Sequence, residues 1–202
     1  MSSSFYSLVF RQKYIKRWGL MRNVEDETLS DHANDVAVLA HALAQIGNTF
    51  FGRHYDTGKA VIYALFHDLP EVFTGDMPTP IKYFNESTKE TYKKVENEAV
   101  GILLSKLPDG LRPVYDEILR YEQREPELKH IIKCADKLAA LIKCMMEERS
   151  GNLEFTTAKA ATLKSLQALA CPELDYFMEN FLPTFDMTLD QMNQETVESG
   201  ID

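Results

Sequence analysis

The stretch EPELKHIIKCADKLAALIKCMMEER, residues 125–149, decides the fold class. Its apolar side chains recur at 128, 131, 132, 135, 138, 139, 142, 145 and 146, the spacing of a long helix with one face turned to a core. One carboxylate disturbs that stripe. Asp136 follows Ala135 at its flank, between Cys134 and Leu138, where an unpaired charge would be poorly solvated. A salt bridge to Lys133, Lys137 or a distant arginine would relieve this, and so would a metal ion. His130 points off the stripe and is expected to face solvent.

The same periodicity continues on both sides. A polar helix is expected over 87–107, with Tyr92, Val95, Val100, Leu103 and Leu104 inward, and a shorter one over 111–121. Two more follow over 155–169 and 172–182, after which residues 184–202 turn polar and acidic and are expected to fray. Toward the N-terminus, residues 4–18 carry bulky groups at 5, 8, 9 and 15 among basic ones, an amphipathic helix that Gly19 can stop. Arg17, Trp18 and Arg22 crowd its exit. A helix over 30–45 has His32 on its inward stripe four residues before Val36, whereas His41 and His54 look peripheral. Another, over 57–67, turns Ala60, Val61, Ala64 and Leu65 inward. The expectation is an all-α chain with one domain over 1–183 and a tail over 184–202.

The helix over 57–67 delivers His67 and Asp68 to its end, in the run Phe66-His67-Asp68-Leu69-Pro70-Glu71. An imidazole and a carboxylate side by side suit Zn, Mn, Co or Fe, and Glu71, four residues after His67, is placed to handle the proton of a water beside such an ion. The same residues also read as a helix start, with Asp68 as N-cap, Pro70 in the first turn and Glu71 reaching back. His32 could be a core histidine satisfied by a carbonyl, Asp76 a turn residue bonded to its own backbone, and Arg17 and Trp18 a solvated helix end. Taken together, however, His32, His67, Asp68 and Asp136 supply two imidazoles and two carboxylates from three helices.

Composition narrows the partners. With 22 basic and 31 acidic residues, a net charge of −9 disfavours the broad basic footprint that holds nucleic-acid polymers, yet leaves room for one phosphate held locally. Cys134, Cys144 and Cys171 are an odd number without Cys-x-x-Cys spacing, which argues against a disulfide framework or a cysteine zinc site. No apolar run approaches the ~20 residues of a membrane span, nor does the N-terminus resemble a signal peptide. A cytoplasmic setting, away from membranes, is expected.

The order H…HD…D on a helical chain resembles the HD-domain phosphohydrolases. Arg17-Trp18, the run from His67 to Val72 and the segment from Thr74 to Asn85, with its Gly-Asp-x-Pro-Thr-Pro loop, are similar to the bacterial 5'-deoxynucleotidase (YfbR-like) family. The similarity spans nearly the whole chain, through Tyr176-Phe177-Met178-Glu179 and the segment from Phe181 to Leu189. The family has Leu where this chain has Met77, a change that a backbone contact would survive. The resemblance implies an HD-type helical bundle that hydrolyses 2'-deoxynucleoside 5'-monophosphates of any base to deoxynucleoside and phosphate, as a cytoplasmic homodimer. It implies one divalent ion, Co2+ or Mn2+ foremost and Zn2+, Fe2+ or Cu2+ as alternatives, held by His32, His67, Asp68 and Asp136. Arg17 would orient the phosphate and Glu71 the attacking water. Trp18 would wall the deoxyribose, and Asp76, Met77, Pro78 and Thr79 would contact the sugar end. The ligands His32, Asp68 and Asp136 would line the substrate as well. A non-catalytic, metal-dependent nucleotide-binding module on the same frame is the alternative; it would need neither Glu71 nor Arg17. A dinuclear HD oxygenase is disfavoured because no histidine lies between His67 and His130.

Overall fold

The computed structural model describes residues 2–82 and 84–198, and among these all side chains but those of Thr79 and 195–198. The helices are α1 (Phe5–Val9), α2 (Leu29–Phe50), α3 (Thr57–Phe66), α4 (Glu71–Thr74), α5 (Thr79–Lys82), α6 (Glu86–Ser105), α7 (Arg112–Leu119), α8 (Pro126–Arg149), α9 (Thr156–Gln167), α10 (Pro172–Asn180) and α11 (Leu189–Glu198). No strand occurs among the described residues; a lone antiparallel bridge joins Lys16 to Thr28.

Helix α2 packs on both α3 and α8 and forms the centre of the bundle. Fully buried Ala40, Ala44, Ala60, Ala64 and Ala135 keep side chains short where these helices meet, while Leu43, Tyr63, Ile131, Ile132 and Leu138 fill the space between them. A second cluster, Phe5, Leu69, Val100, Leu103, Leu104 and Leu107, packs α1 and α6 around the turn after α3. That turn carries the His-Asp pair.

Several elements depart from their expected course. The helix expected over 4–18 stops at Val9, gives one 3-10 turn over Phe10–Tyr14, and becomes extended at Ile15. Tertiary pairing overrides its pattern: Leu29 donates to the Ile15 carbonyl at 2.8 Å and Arg17 donates to the Glu27 carbonyl at 2.9 Å. Helix α2 starts one residue before the expected Ser30 because Thr28 and Asp31 form a reciprocal capping box, and it runs on to Phe50. Leu65, Val95 and Met146, expected inward, are exposed at the margins of their stripes. Residues 189–198 are helical where fraying was expected, and the last four residues of that tail lie outside the described residues. Phe185 packs on the main core, Arg149 donates to the carbonyls of Phe185 and Met187, and Thr188 and Gln191 cap α11 reciprocally.

Candidate metal and phosphate site

The turn between α3 and α4 is built from the residues that the sequence singles out. His67 keeps helical geometry at the end of α3, and Pro70, which has no N–H to lose, is the N-cap of α4. The capping-box reading of Asp68 fails here: α4 has no side-chain cap, and the Asp68 carboxylate turns inward. Gly75 then ends α4 at φ 73, a left-handed conformation that glycine adopts without strain.

Two groups from helices and two from the α3–α4 turn come together. His67 Nε2 lies 3.1 Å from Asp68 Oδ2, and His32 Nε2 lies 3.8 Å from the same oxygen and 3.2 Å from Asp136 Oδ1. One donor atom each from His32, His67 and Asp68 fall within 4.8 Å of one another. His32 is fully buried in the first turn of α2, so Asp136, half a helix along α8, reaches it across the α2–α8 interface. Lys137 is 3.5 Å from the other Asp136 oxygen, and thus the expected salt bridge coexists with the histidine contact.

The outer nitrogens of both imidazoles face oxygen acceptors, His67 Nδ1 in a hydrogen bond and His32 Nδ1 at ion-pair distance. His67 Nδ1 is 2.6 Å from the Ala64 carbonyl, which requires a proton on that nitrogen, and leaves Nε2 to face the cluster. His32 Nδ1 lies 3.1 Å from Glu27 Oε1, so its Nε2 likewise faces inward. A carboxylate or carbonyl behind each imidazole is the arrangement that orients histidine ligands toward a metal. His67 Nε2 is buried and makes no hydrogen bond, an orphaned donor atom aimed at two carboxylates and another imidazole. A divalent ion would satisfy this set of nitrogen and oxygen donors.

Charge accumulates around them. Burial by itself would lower the His67 pKa, but Asp68 and Asp136 outweigh it and raise it to about 9. Asp68 resists the upward push of its own burial, and is held well below the usual carboxylate range by His67, Arg17 and His32. Glu71 is the contrary case: burial, with the neighbouring Asp68 and Asp76 charges, pushes it up to about 9 against the pull of Lys82. Its Oε2 is buried without a hydrogen-bond partner.

Arg17 joins these groups to the loops. Nη1 is 3.2 Å from Asp76 and 3.5 Å from Asp68, while Nε is 3.3 Å from Glu27. Trp18, at φ 58, turns its indole onto Phe155 and donates from Nε1 to Glu27 Oε2 at 2.7 Å. It is half-buried. Met77 and Pro78 follow Asp76 at the rim and are partly exposed; the Thr79 side chain lies outside the described residues.

Two residues of this site escape the sequence pattern. Glu27 is one acid in the run Glu25-Asp26-Glu27, yet it touches Arg17, Trp18 and His32 together. Lys82, on the one-turn helix α5, sits 3.6 Å from Glu71 and 2.9 Å from Glu96, over the Tyr92 ring. Neither has a spacing signal, because each acts through contacts made between separate loops.

Comparison with known proteins identifies the family. Residues 4–185 match the profile of the 5'-deoxynucleotidase YfbR-like family. The chain belongs to that family. It is 43% identical to a 5'-deoxynucleotidase of Erwinia tasmaniensis over 195 residues, covering 96% of this chain and 98% of the relative. With the 5'-deoxynucleotidase YfbR of Escherichia coli it shares 41% over 194 residues, at the same coverage. Among solved structures, an HD-domain phosphohydrolase from Listeria innocua superposes at a TM-score of 0.79 with 20% identity, covering 98% of both chains. The cyanophage S-2L HD phosphohydrolase DatZ, bound to dA and one catalytic Zn2+ ion, superposes at 0.66 with 19% identity, covering 93% of this chain and all of that one. These two place the YfbR-like chain in the HD fold.

Proposed function

We propose that this YfbR-like protein is a metal-dependent 5'-deoxynucleotidase, converting 2'-deoxynucleoside 5'-monophosphates to deoxynucleosides and phosphate with little regard for the base. The observation that carries the site assignment is the buried Nε2 of His67, which makes no hydrogen bond yet faces the Asp68 carboxylate at 3.1 Å, beside a His32 Nε2 that Asp136 Oδ1 approaches to 3.2 Å. His32, His67, Asp68 and Asp136 would hold one divalent ion, with Co2+ or Mn2+ foremost. Such an ion supplies Lewis-acid polarisation of the phosphoryl group and acidifies water.

The protein's own residues do the rest. Arg17 lies beside the ligands on a backbone pinned by the Lys16–Thr28 bridge, and its guanidinium binds the phosphate oxygens by charge-assisted hydrogen bonds. Glu71, buried three residues beyond Asp68, takes the proton of the attacking water at Oε2 once added positive charge has lowered its pKa. Lys82 holds Glu71 from its other side. Trp18 presents a rigid aromatic wall next to Arg17, where a ribose 2'-hydroxyl would lose its hydration without gaining a partner, and Asp76 accepts from a hydroxyl at the sugar end. Met77, Pro78 and Thr79 contribute the rim of that pocket. A pure binding module would not require a buried, destabilised Glu71. We assign residues 1–183 to the HD domain and 184–202 to an appended acidic segment, and place the protein in the cytoplasm as a homodimer.

Purified protein, stripped of metal and reconstituted separately with Co2+, Mn2+, Zn2+, Fe2+ and Cu2+, should be assayed on all ribo- and deoxynucleoside 5'- and 3'-monophosphates. Release of phosphate from every deoxynucleoside 5'-monophosphate, with ribonucleotides slower and 3'-isomers inert, is expected. Equal rates on ribo- and deoxynucleotides would remove the selectivity claim.

A further inference from the structure

Helix α8 carries a second group of donors on the face turned away from Asp136. Cys134 and Asp136 are two residues apart, roughly 200° around the helix at 100° per residue, so they serve different sides of it. His130 precedes Cys134 by one helical turn, and its Nε2 lies 3.9 Å from the Cys134 Sγ. The fold then brings in Cys171, the N-cap of α10, so that donor atoms of His130, Cys134 and Cys171 lie within 4.8 Å of one another. His130 is only half-exposed, against the expectation that it faces solvent. Spacing along the chain shows no sign of this group, since 37 residues separate the two cysteines.

A fourth donor stands beside them. Glu173 is buried in the first turn of α10; its Oε1 accepts from Arg53 and from the Tyr55 hydroxyl, and its Oε2 is 3.3 Å from the Cys171 Sγ. Tetrahedral zinc, with bonds of ~2.3 Å to sulfur and ~2.0–2.2 Å to nitrogen or oxygen, places neighbouring ligand atoms about 3.5–3.8 Å apart. The two separations of 3.9 and 3.3 Å bracket that range; Glu173 stands outside the 4.8 Å group formed by the other three donors and completes the tetrahedron by turning its Oε2 toward them. We infer that His130, Cys134, Cys171 and Glu173 form a second, structural metal site that takes a thiolate-preferring divalent ion of the zinc class and ties α8 to α10.

Such an ion would anchor α10 directly to the helix that carries Asp136. Through Glu173 it would also fix the loop with Arg53 and Tyr55, which closes over Gly47 of α2 so tightly that a Cβ there would meet the Tyr55 ring at 2.6 Å. Two thiolates select for softness, so the two sites sort metals: Mn2+ should enter only the nitrogen and oxygen cluster at His67, whereas Zn2+ should fill both.

The test uses the full chain, kept reduced, with metal uptake measured by equilibrium dialysis and elemental analysis. The wild type should bind two equivalents of Zn2+ and one of Mn2+, and its Co2+ form should show a near-ultraviolet thiolate-to-cobalt charge-transfer band. His130→Ala and Cys171→Ser should each lower Zn2+ uptake from two to one and abolish the band, with Mn2+ uptake unchanged. His130→Ala alters a half-exposed position and keeps the test readable should Cys171→Ser fail to fold. The Asp68→Ala/Asp136→Ala double variant should lose Mn2+ and retain the band, which separates failure of this inference from failure of the catalytic assignment. One equivalent of Zn2+ in the wild type without a charge-transfer band, or a second equivalent that persists in His130→Ala, would overturn it.

Discussion

Glu71 sits in a position that its ion pair with Lys82 explains only in part. Its carboxyl is almost fully buried, half of it lacks a partner, and its pKa is raised to about 9. An acid whose pKa rises on folding contributes stability below its unfolded value, near 4.5, and loses that contribution as the pH climbs toward 9. Metal-free protein should therefore weaken over this window, and Glu71→Gln, which cannot ionise, should lose less; melting temperatures of the two at pH 5 and pH 8 check the difference. In turnover the sign reverses. Glu71→Gln should keep the metal and bind substrate yet fall by on the order of 10²-fold in kcat. For Trp18, packing on Phe155 and the hydrogen bond to Glu27 add an anchoring role to the aromatic wall. Trp18→Phe keeps a wall without the Nε1–H bond and should preserve the preference for deoxynucleotides, whereas Trp18→Ala should reduce it about tenfold to a hundredfold. An unchanged ratio of deoxy- to ribonucleotide rates in Trp18→Ala would assign Trp18 to packing alone.

Among the elements, the extended segment from Ile15 to Trp18 and the start of α2 behave as one unit. The Lys16–Thr28 bridge aligns them, the Thr28–Asp31 box fixes where α2 begins, and Glu27 between them holds His32, Arg17 and Trp18 at once. Thr28→Ala should cost about 1 kcal/mol of stability by removing the N-cap, measurable by urea denaturation. Glu27→Ala should act on function instead. With the carboxylate gone from behind His32, metal affinity should fall roughly 10- to 100-fold and KM should rise as Arg17 loses its rest. Unaltered metal affinity in that variant would reduce Glu27 to an ion-pair partner of Arg17.

Across the whole molecule, the proposed ligands arrive from α2 and α8, which share the main core, and from the α3–α4 turn, which packs in the second cluster. Metal binding and folding are consequently linked: an ion that binds only the assembled site stabilises the fold, by about 2.7 kcal/mol at a hundredfold excess over its Kd. Mn2+ should raise the melting temperature of the wild type and leave that of the Asp68→Ala/Asp136→Ala double variant unmoved. Leu138→Ala, at a fully buried position two residues along α8 from Asp136, should cost about 2–5 kcal/mol and weaken metal binding as well.

The sequence by itself determined the helical class and singled out the polar groups that the fold gathers. Helical spacing follows from 3.6 residues per turn, and the stripes of α2, α3 and α8 report which side chains must leave water, so His32, Asp68 and Asp136 stood out as polar groups where polar groups are costly. Local patterns failed where distant backbone intervened. Residues 15–18 leave the helix because Glu27 and Leu29 offer them backbone hydrogen bonds, and residues 189–198 remain helical because Thr188 and Gln191 cap them behind a docked Phe185. Only the tertiary structure joined Glu27 to His32, Lys82 to Glu71, and Cys134 to Cys171 and Glu173. Each of these depends on two segments being packed to within a few ångströms, a distance that periodicity along one chain does not encode.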